Sequence, residues 1–160
     1  MNRTIYVVRH GHHTNGYLDS LGKSQIAVLA KELKLRISEK ASLRIISSTA
    51  ARATESAEII AKSLNARSEG TDSMLWTGPD GNKSCHLDET LEMINSTDDE
   101  VVIMVTHYEY SEEFPSFFAS KVWGDKGFSE TSLNNGQAWC INCNDNTITL
   151  ISPNLFGDEV

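Results

Sequence analysis

The sequence predicts an α/β three-layer sandwich, in which a mostly parallel central sheet is flanked by helices and the C-terminal strands pair as an antiparallel hairpin. Three observations carry this. Short β-branched runs alternate with segments of helical periodicity through most of the chain, as right-handed β-α-β crossovers require. The last two strand-like runs, Gln137 to Cys143 and Thr147 to Ile151, flank Asn144-Asp145-Asn146 and read as a hairpin. Finally, 160 residues that are 39% hydrophobic and 22% charged suffice for one core, so 1-160 is read as a single domain without repeats or low-complexity tracts.

Each element has a local reason. Thr4-Ile5-Tyr6-Val7-Val8 is a buried strand that empties into the polar stretch Arg9-His10-Gly11-His12-His13-Thr14-Asn15-Gly16, read as a loop. Asp19 is positioned to cap a helix in which Leu21, Val28, Leu29 and Leu33 recur near helical spacing until Ser38. A second strand, Leu43 to Ile46, ends in Ser47-Ser48-Thr49, whose hydroxyls are suited to cap the next helix; there Ala53, Ala57, Ile60 and Leu64 share one face. From Ala66 to Ser84 the pattern weakens into a glycine-punctuated surface loop around Met74-Leu75-Trp76. Leu87, Leu91 and Ile94 suggest a short third helix, Val101 to Val105 is the most strand-like segment, and a fourth helix is expected over Phe114 to Trp123, with Pro115 near its start.

Charge and cysteine content narrow the function. Fourteen Lys and Arg against twenty-two Asp and Glu give a net charge of −8, so no broad basic face exists for nucleic acid or an anionic membrane, and an anionic ligand requires a local cationic cluster. Three cysteines, Cys85, Cys140 and Cys143, are too few for a stapled secreted scaffold. No apolar run approaches the ~20 residues of a spanning helix. The chain enters a strand-like run directly after Met1-Asn2-Arg3, so no signal peptide is expected and a cytoplasmic location follows as the expectation.

Three strands end in Arg9-His10, Ser47-Ser48 and Thr106-His107, and ligands of open α/β sheets bind outside the carboxyl ends of the strands. Arg9-His10-Gly11 after a buried strand, Arg52 within Ser47-Ser48-Thr49-Ala50-Ala51-Arg52-Ala53, and His107 after another strand resemble the histidine phosphatase superfamily, the phosphoglycerate-mutase-like proteins. Leu18 to Gln25 looks like that family's Leu-Thr-x-x-Gly-x-x-Gln helix start with Asp19 replacing Thr, and Ser56-Ala57 stands where the family tends to show Thr-Ala. These motifs cover the first 65 residues densely and Val101 to His107 again. The resemblance implies a phosphatase of the same fold, independent of metal or other cofactor.

Physical reasoning on the same residues agrees. A phosphoryl group carrying up to two negative charges needs several fixed cations and donors, and Arg9 and Arg52 supply planar, bidentate ones. His10 is the expected nucleophile, an imidazole nitrogen attacking phosphorus to give a phosphohistidine that water hydrolyses. Beside two arginines it should be neutral near pH 7. His107 is expected to donate to the transferring phosphoryl, and Gly11 to let the backbone approach the phosphate. The family also uses a carboxylic acid for the leaving group, for which Asp80 in Gly78-Pro79-Asp80-Gly81 is the leading candidate, followed by Asp88, Glu89 and Glu109; the small phosphohistidine phosphatases, similar in length, can lack an obvious acid. Where the family continues Arg-His-Gly with Glu or Gln, then Thr or Ser, and later Asn, this chain reads His12-His13-Thr14-Asn15, so Thr14 and Asn15 are expected as phosphate donors only in a shifted register. That departure argues against a true mutase.

The expected partner is therefore a phosphorylated small molecule or a phosphohistidine protein. Two other readings compete: a non-catalytic phosphate-binding or regulatory domain of the same fold, and a metal module built on His10, His12 and His13 or on Cys140-Ile141-Asn142-Cys143. The second cysteine pair that a zinc site needs is missing, and residues three apart on a strand face opposite ways. Trp76, Trp123 and Trp139 are read as core or pocket wall, and Ser47 and Ser48 as caps.

Overall fold

A computed structural model describes residues 2–77, 85–129 and 132–153. Strand β1 (Thr4–Arg9) is followed by a small hairpin, β2 (His13–Thr14) with β3 (Tyr17–Leu18), then helix α1 (Ser20–Arg36), β4 (Leu43–Ser47), α2 (Ala51–Ser63) and β5 (Ser68–Thr71). A 3-10 turn at Ser73–Leu75 precedes α3 (Leu87–Asn95), β6 (Val101–Thr106), α4 (Tyr108–Trp123), β7 (Ala138–Asn142) and β8 (Thr147–Ile151). The six-stranded sheet has the order β5-β4-β6-β1-β7-β8; β5, β4, β6 and β1 run parallel, and β7 and β8 are antiparallel.

Alternation along the central strands sorts the core into two layers. Tyr6 and Val8, Ile45, and Val101, Ile103 and Val105 face α1 and α2, where they meet Ile26, Leu29, Leu33, Ala53, Ala57 and Ile60. Ile5 and Val7, Ile46, and Val102 and Met104 face α3 and α4, meeting Ile94, Tyr110, Phe114 and Phe118. This is the predicted sandwich, with every residue of β6 buried because it is covered on both faces. Among the described residues no helix is long and apolar enough to cross a membrane.

Several elements differ from expectation. The buried stripe of α1 is Gly22, Ile26, Leu29, Ala30 and Leu33, while Leu21 is exposed. Asp19 does cap this helix, accepting from Gly22 N at 2.9 Å. Helix α2 instead has Ala50 at its N-cap with no side-chain bond; the Ser47 hydroxyl donates to Ser48 O, and the Ser48 hydroxyl accepts from Ala50 N at 3.4 Å and meets His107. Part of the stretch read as a long loop is the edge strand β5, whose Ser68-Glu69-Gly70-Thr71 sequence has no apolar alternation to reveal it. Helix α4 starts six residues before Phe114, directly after β6, and carries Pro115 in its interior; Tyr110, Phe114 and Phe118 at i, i+4, i+8 bury enough apolar surface to outweigh the missing bond to Ser111. The β2–β3 hairpin stands in the stretch expected as loop, although Asn15 (φ 53°) and Gly16 (φ 87°) are the left-handed pair that a two-residue hairpin turn requires.

The loop after β1 lies directly on the start of α1. A Cβ on Gly11 would stand 2.6 Å from the Gly22 carbonyl oxygen, and one on Gly22 would stand 2.0 Å from that of His12. Both obstacles are backbone, so neither yields by a rotamer change. Gly22→Ala should destabilise the protein by about 3 kcal/mol or more, at the upper end for overpacking, and lower Tm by roughly 6 °C or more, measured by urea and thermal denaturation. An unchanged urea midpoint would contradict the contact.

Candidate active site

The sheet brings the three polar strand ends together. His10 N donates to Thr106 O at 3.1 Å and Ser48 N donates to Val105 O at 3.0 Å, so the parallel ladders extend into the residues that carry the site. Gly136 N donates to the carbonyls of Arg9 and His10, and Asn135 Nδ2 donates to His10 O at 3.1 Å, closing the loop before β7 over the end of β1.

His10 is buried, and its ring nitrogens have distinct roles. Nδ1 lies 2.8 Å from the Gly11 carbonyl, an acceptor only, so Nδ1 carries the proton. Nε2 therefore presents a lone pair, which accepts from Arg52 Nε at 3.2 Å. Burial, opposed by the Gly11 bond and reinforced by Arg52 and Arg9, lowers the His10 pKa to about 4. His107, equally buried, packs edge-on against His10 with ring centroids 4.9 Å apart. Its Nε2 meets the Ser48 hydroxyl at 2.7 Å, and burial first, then His10 and the arginines, holds it far below the ordinary histidine range.

Aromatic rings line the wall. Trp76 stacks on His107 at 5.2 Å and 16°, and the Arg52 guanidinium lies 5.4 Å from the Trp76 ring centroid. Trp76 reaches this place because Thr106 Oγ1 donates to the Leu75 carbonyl and Tyr110 OH to the Met74 carbonyl. Arg9 lies 5.4 Å from the Tyr108 ring centroid and donates from Nη1 to Leu133 O at 2.6 Å, while its buried Nε has no partner among the described residues. A donor in that state costs about 1–3 kcal/mol unless a ligand atom accepts it.

Of the residues singled out in the sequence, Arg9, His10, Arg52 and His107 are brought together. Gly11 is beside them, but its N–H is donated to Ser56 Oγ at 3.1 Å, and its lack of a side chain is required by Gly22 rather than by a phosphate. Thr14 is exposed and donates to Asp19 Oδ2 at 2.9 Å, and Asn15 occupies the hairpin turn; His13 is the hairpin residue that approaches His10, at 5.5 Å between ring centroids. Asp80 lies outside the described residues. Asp88 pairs with Lys121 and Glu89 with His86 on exposed surface, whereas Glu109, in the first turn of α4, lies close enough to Arg9 and Arg52 to favour their charged forms.

The sequence alone assigns neither Ser48 nor Tyr108 to the site; Trp76, expected as core or pocket wall, is pocket wall, and His13, expected only in the competing metal cluster, stands beside His10. Ser48 is expected as a cap, and only its place at a strand end hints at more. The metal reading is not assembled: His12 Nδ1 pairs with Asp19, Cys140 and Cys143 fall in opposite core layers, and among the described residues no group of three or more His, Cys, Asp or Glu could hold an ion.

No protein-family model matches the sequence, and no curated protein matches it. Solved structures do resemble the fold. The protein histidine phosphatase SixA complexed with tungstate superposes with a TM-score of 0.66 at 15% identity, covering 93% of this chain and 94% of that one. A mycobacterial glucosyl-3-phosphoglycerate phosphatase complexed with VO3 gives 0.64 at 16%, covering 93% and 96%. Phosphoglycerate mutase from Plasmodium falciparum gives 0.59 at 19%, covering 96% and 91%. The chain has the fold of the histidine phosphatases.

The His10 environment has a measurable signature. As pH falls from the ordinary histidine value of ~6.5 to about 4, the unfolded chain takes up a proton that folded His10 refuses, so stability declines across that window, by up to about 3 kcal/mol from this group. His107 acts in the same direction. Urea midpoints should fall more steeply between those pH values in the wild type than in His10→Gln, and 15N shifts should report a neutral ring protonated on Nδ1. A His10 that titrates near its ordinary value would contradict this environment.

Proposed function

We propose that this chain is a metal-independent phosphatase that hydrolyses a phosphomonoester or a phosphohistidine through a phosphohistidine intermediate on His10. The observation that supports it is the His10 tautomer: a neutral imidazole, its proton committed to the Gly11 carbonyl, aims the Nε2 lone pair into a site that also holds Arg9 and Arg52. In the first step Nε2 bonds to phosphorus as the bond to the leaving oxygen or nitrogen breaks. Arg52 exchanges its contact with Nε2 for the phosphoryl oxygens, and the orphaned Arg9 Nε gains an acceptor. His107 takes a ring proton at Nδ1 when the Ser48 hydroxyl donates to Nε2, and that N–H stabilises the charge of the transferring group. Water then attacks phosphorus, passing a proton back to the carboxylate that protonated the leaving group, the P–N bond breaks with its electron pair returning to Nε2, and inorganic phosphate leaves.

The leaving group requires a proton. Of Asp88, Glu89 and Glu109, Glu109 is the one placed near Arg9 and Arg52, and it serves this role once the bound phosphoryl dianion offsets those cations; Asp80 is its rival. Neighbours of this fold are named for different phosphorylated groups, a protein histidine phosphatase and a glucosyl-3-phosphoglycerate phosphatase among them, which is consistent with a phosphorylated substrate and indifferent to which one.

Brief incubation with a labile phosphoryl donor should label His10 with an acid-labile, alkali-stable phosphate, and His10→Ala should abolish both label and turnover. An acid-stable adduct or undiminished turnover would exclude the mechanism; absence of any turnover with phosphate bound would favour the non-catalytic binding domain. Arg52→Lys should lower kcat by about a hundredfold or more, because an ammonium cannot replace the planar fork. A rise in KM alone would reduce Arg52 to substrate recruitment. Glu109→Gln should slow alkyl phosphates about a hundredfold and leave activated aryl phosphates nearly unchanged. If Asp80→Asn shows that contrast instead, the acid comes from the 78–84 segment.

A further inference from the structure

The hairpin β2–β3 brings a third imidazole to the nucleophile. His13 lies edge-on to His10, with centroids 5.5 Å apart and planes at 68°, close to the 4.9 Å and 66° by which His107 meets His10. His10 is thus flanked by two imidazoles, one fully buried and one at the solvent-facing rim.

The rim position is built rather than incidental. His13 pairs with Leu18 across the hairpin, and Leu18 is buried with its N–H on Glu55 Oε1 at 3.0 Å, which ties the hairpin to α2. Asp19 holds the other side, binding the Thr14 hydroxyl, His12 Nδ1 and the N-terminus of α1 at once. His12 is thereby turned to Asp19, and His13 is the one left facing the cations. No hydrogen bond of the His13 side chain occurs among the described residues.

The groups acting on His13 are Arg9, His10 and His107 from the strand ends, Arg52 from α2, His12 beside it, and Asp19, the one anion among them. Partial burial first, then Arg52 and His12, depress its proton affinity, with Asp19 opposing. A phosphoryl dianion seated on Arg9 and Arg52 reverses the sign of that local field, so the group that was disfavoured as a cation becomes favoured.

We infer that His13 is a proton-coupled phosphoryl ligand: it is neutral in the free site and takes a proton from solvent as a dianionic phosphoryl group docks, donating that N–H to a phosphoryl oxygen. This rests on the site being a phosphoryl site. It adds that docking consumes a proton, so that binding weakens as the solution becomes alkaline while the charge on the ligand is constant.

Tungstate is the probe, because it is a dianion throughout the neutral range and the protons exchanged belong to the protein. Calorimetric titration near neutral pH in two buffers of different ionisation enthalpy should show net proton uptake per tungstate bound. Kd should rise, approaching about tenfold per pH unit above neutrality. In His13→Thr and His13→Gln, which retain donors but cannot titrate, tungstate should still bind, while uptake falls and the pH dependence flattens. His12→Gln should retain both. Uptake unchanged in both His13 variants, uptake absent in the wild type, or uptake abolished by His12→Gln would each overturn the assignment and leave the phosphoryl site intact. Failure of the wild type to bind tungstate at all would overturn the phosphoryl-site reading and the His13 role together.

Discussion

Strand β6 holds the site together through its register. It pairs with β1 from Thr4↔Val101 to Arg9↔Thr106 and with β4 from Leu43↔Val101 to Ser47↔Val105, so the ends of all three strands arrive at one level. A slip of one residue would exchange the two core layers, putting Val102 and Met104 where Ile103 and Val105 belong. The hydrophobic layers thus forbid the slip, and in forbidding it they fix His107 against His10 and Ser48. The chemistry of the site inherits its precision from apolar packing several residues away.

Electrostatics at the site run against the character of the whole molecule. A chain with a net charge of −8 concentrates two half-buried guanidiniums and two buried imidazoles at one end of its sheet. The imidazoles tolerate this company only as neutral rings, and the neutrality of His10 leaves a lone pair, not a proton, on Nε2. Burial, the arginines and the neighbouring imidazoles push the same way, so no single contact bears the whole effect.

Much of this was legible in the sequence, and the exceptions share a cause. Apolar runs and their period located β1, β4, β6 and the faces of α2, because buried strands and amphipathic helices must write themselves in hydrophobic residues. Arg9, His10, Arg52 and His107 could be placed from motif and strand ends together. Edge strand β5 escaped because an exposed strand needs no such pattern, and the start of α4 escaped because Pro115 suggested a boundary where tertiary packing of Tyr110 and Phe114 overrides it. Ser48 and Trp76 depend on contacts with His107, distant in sequence, and local propensity is silent about those.

The contact between Gly11 and Gly22 bears on how such chains drift. Both positions are closed to side chains by main-chain atoms, irrespective of what occurs at His10. A descendant that lost its chemistry would keep the His-Gly pair's glycine as long as it kept its fold, so that glycine cannot distinguish a working enzyme from a pseudoenzyme. The Ser56 hydroxyl, bonded to Gly11 N and Arg52 O, is bound by the same structural duty. What the fold itself does not need lies instead at the unsatisfied Nε of Arg9 and at the His10 lone pair, which meets Arg52 Nε and no group of the core.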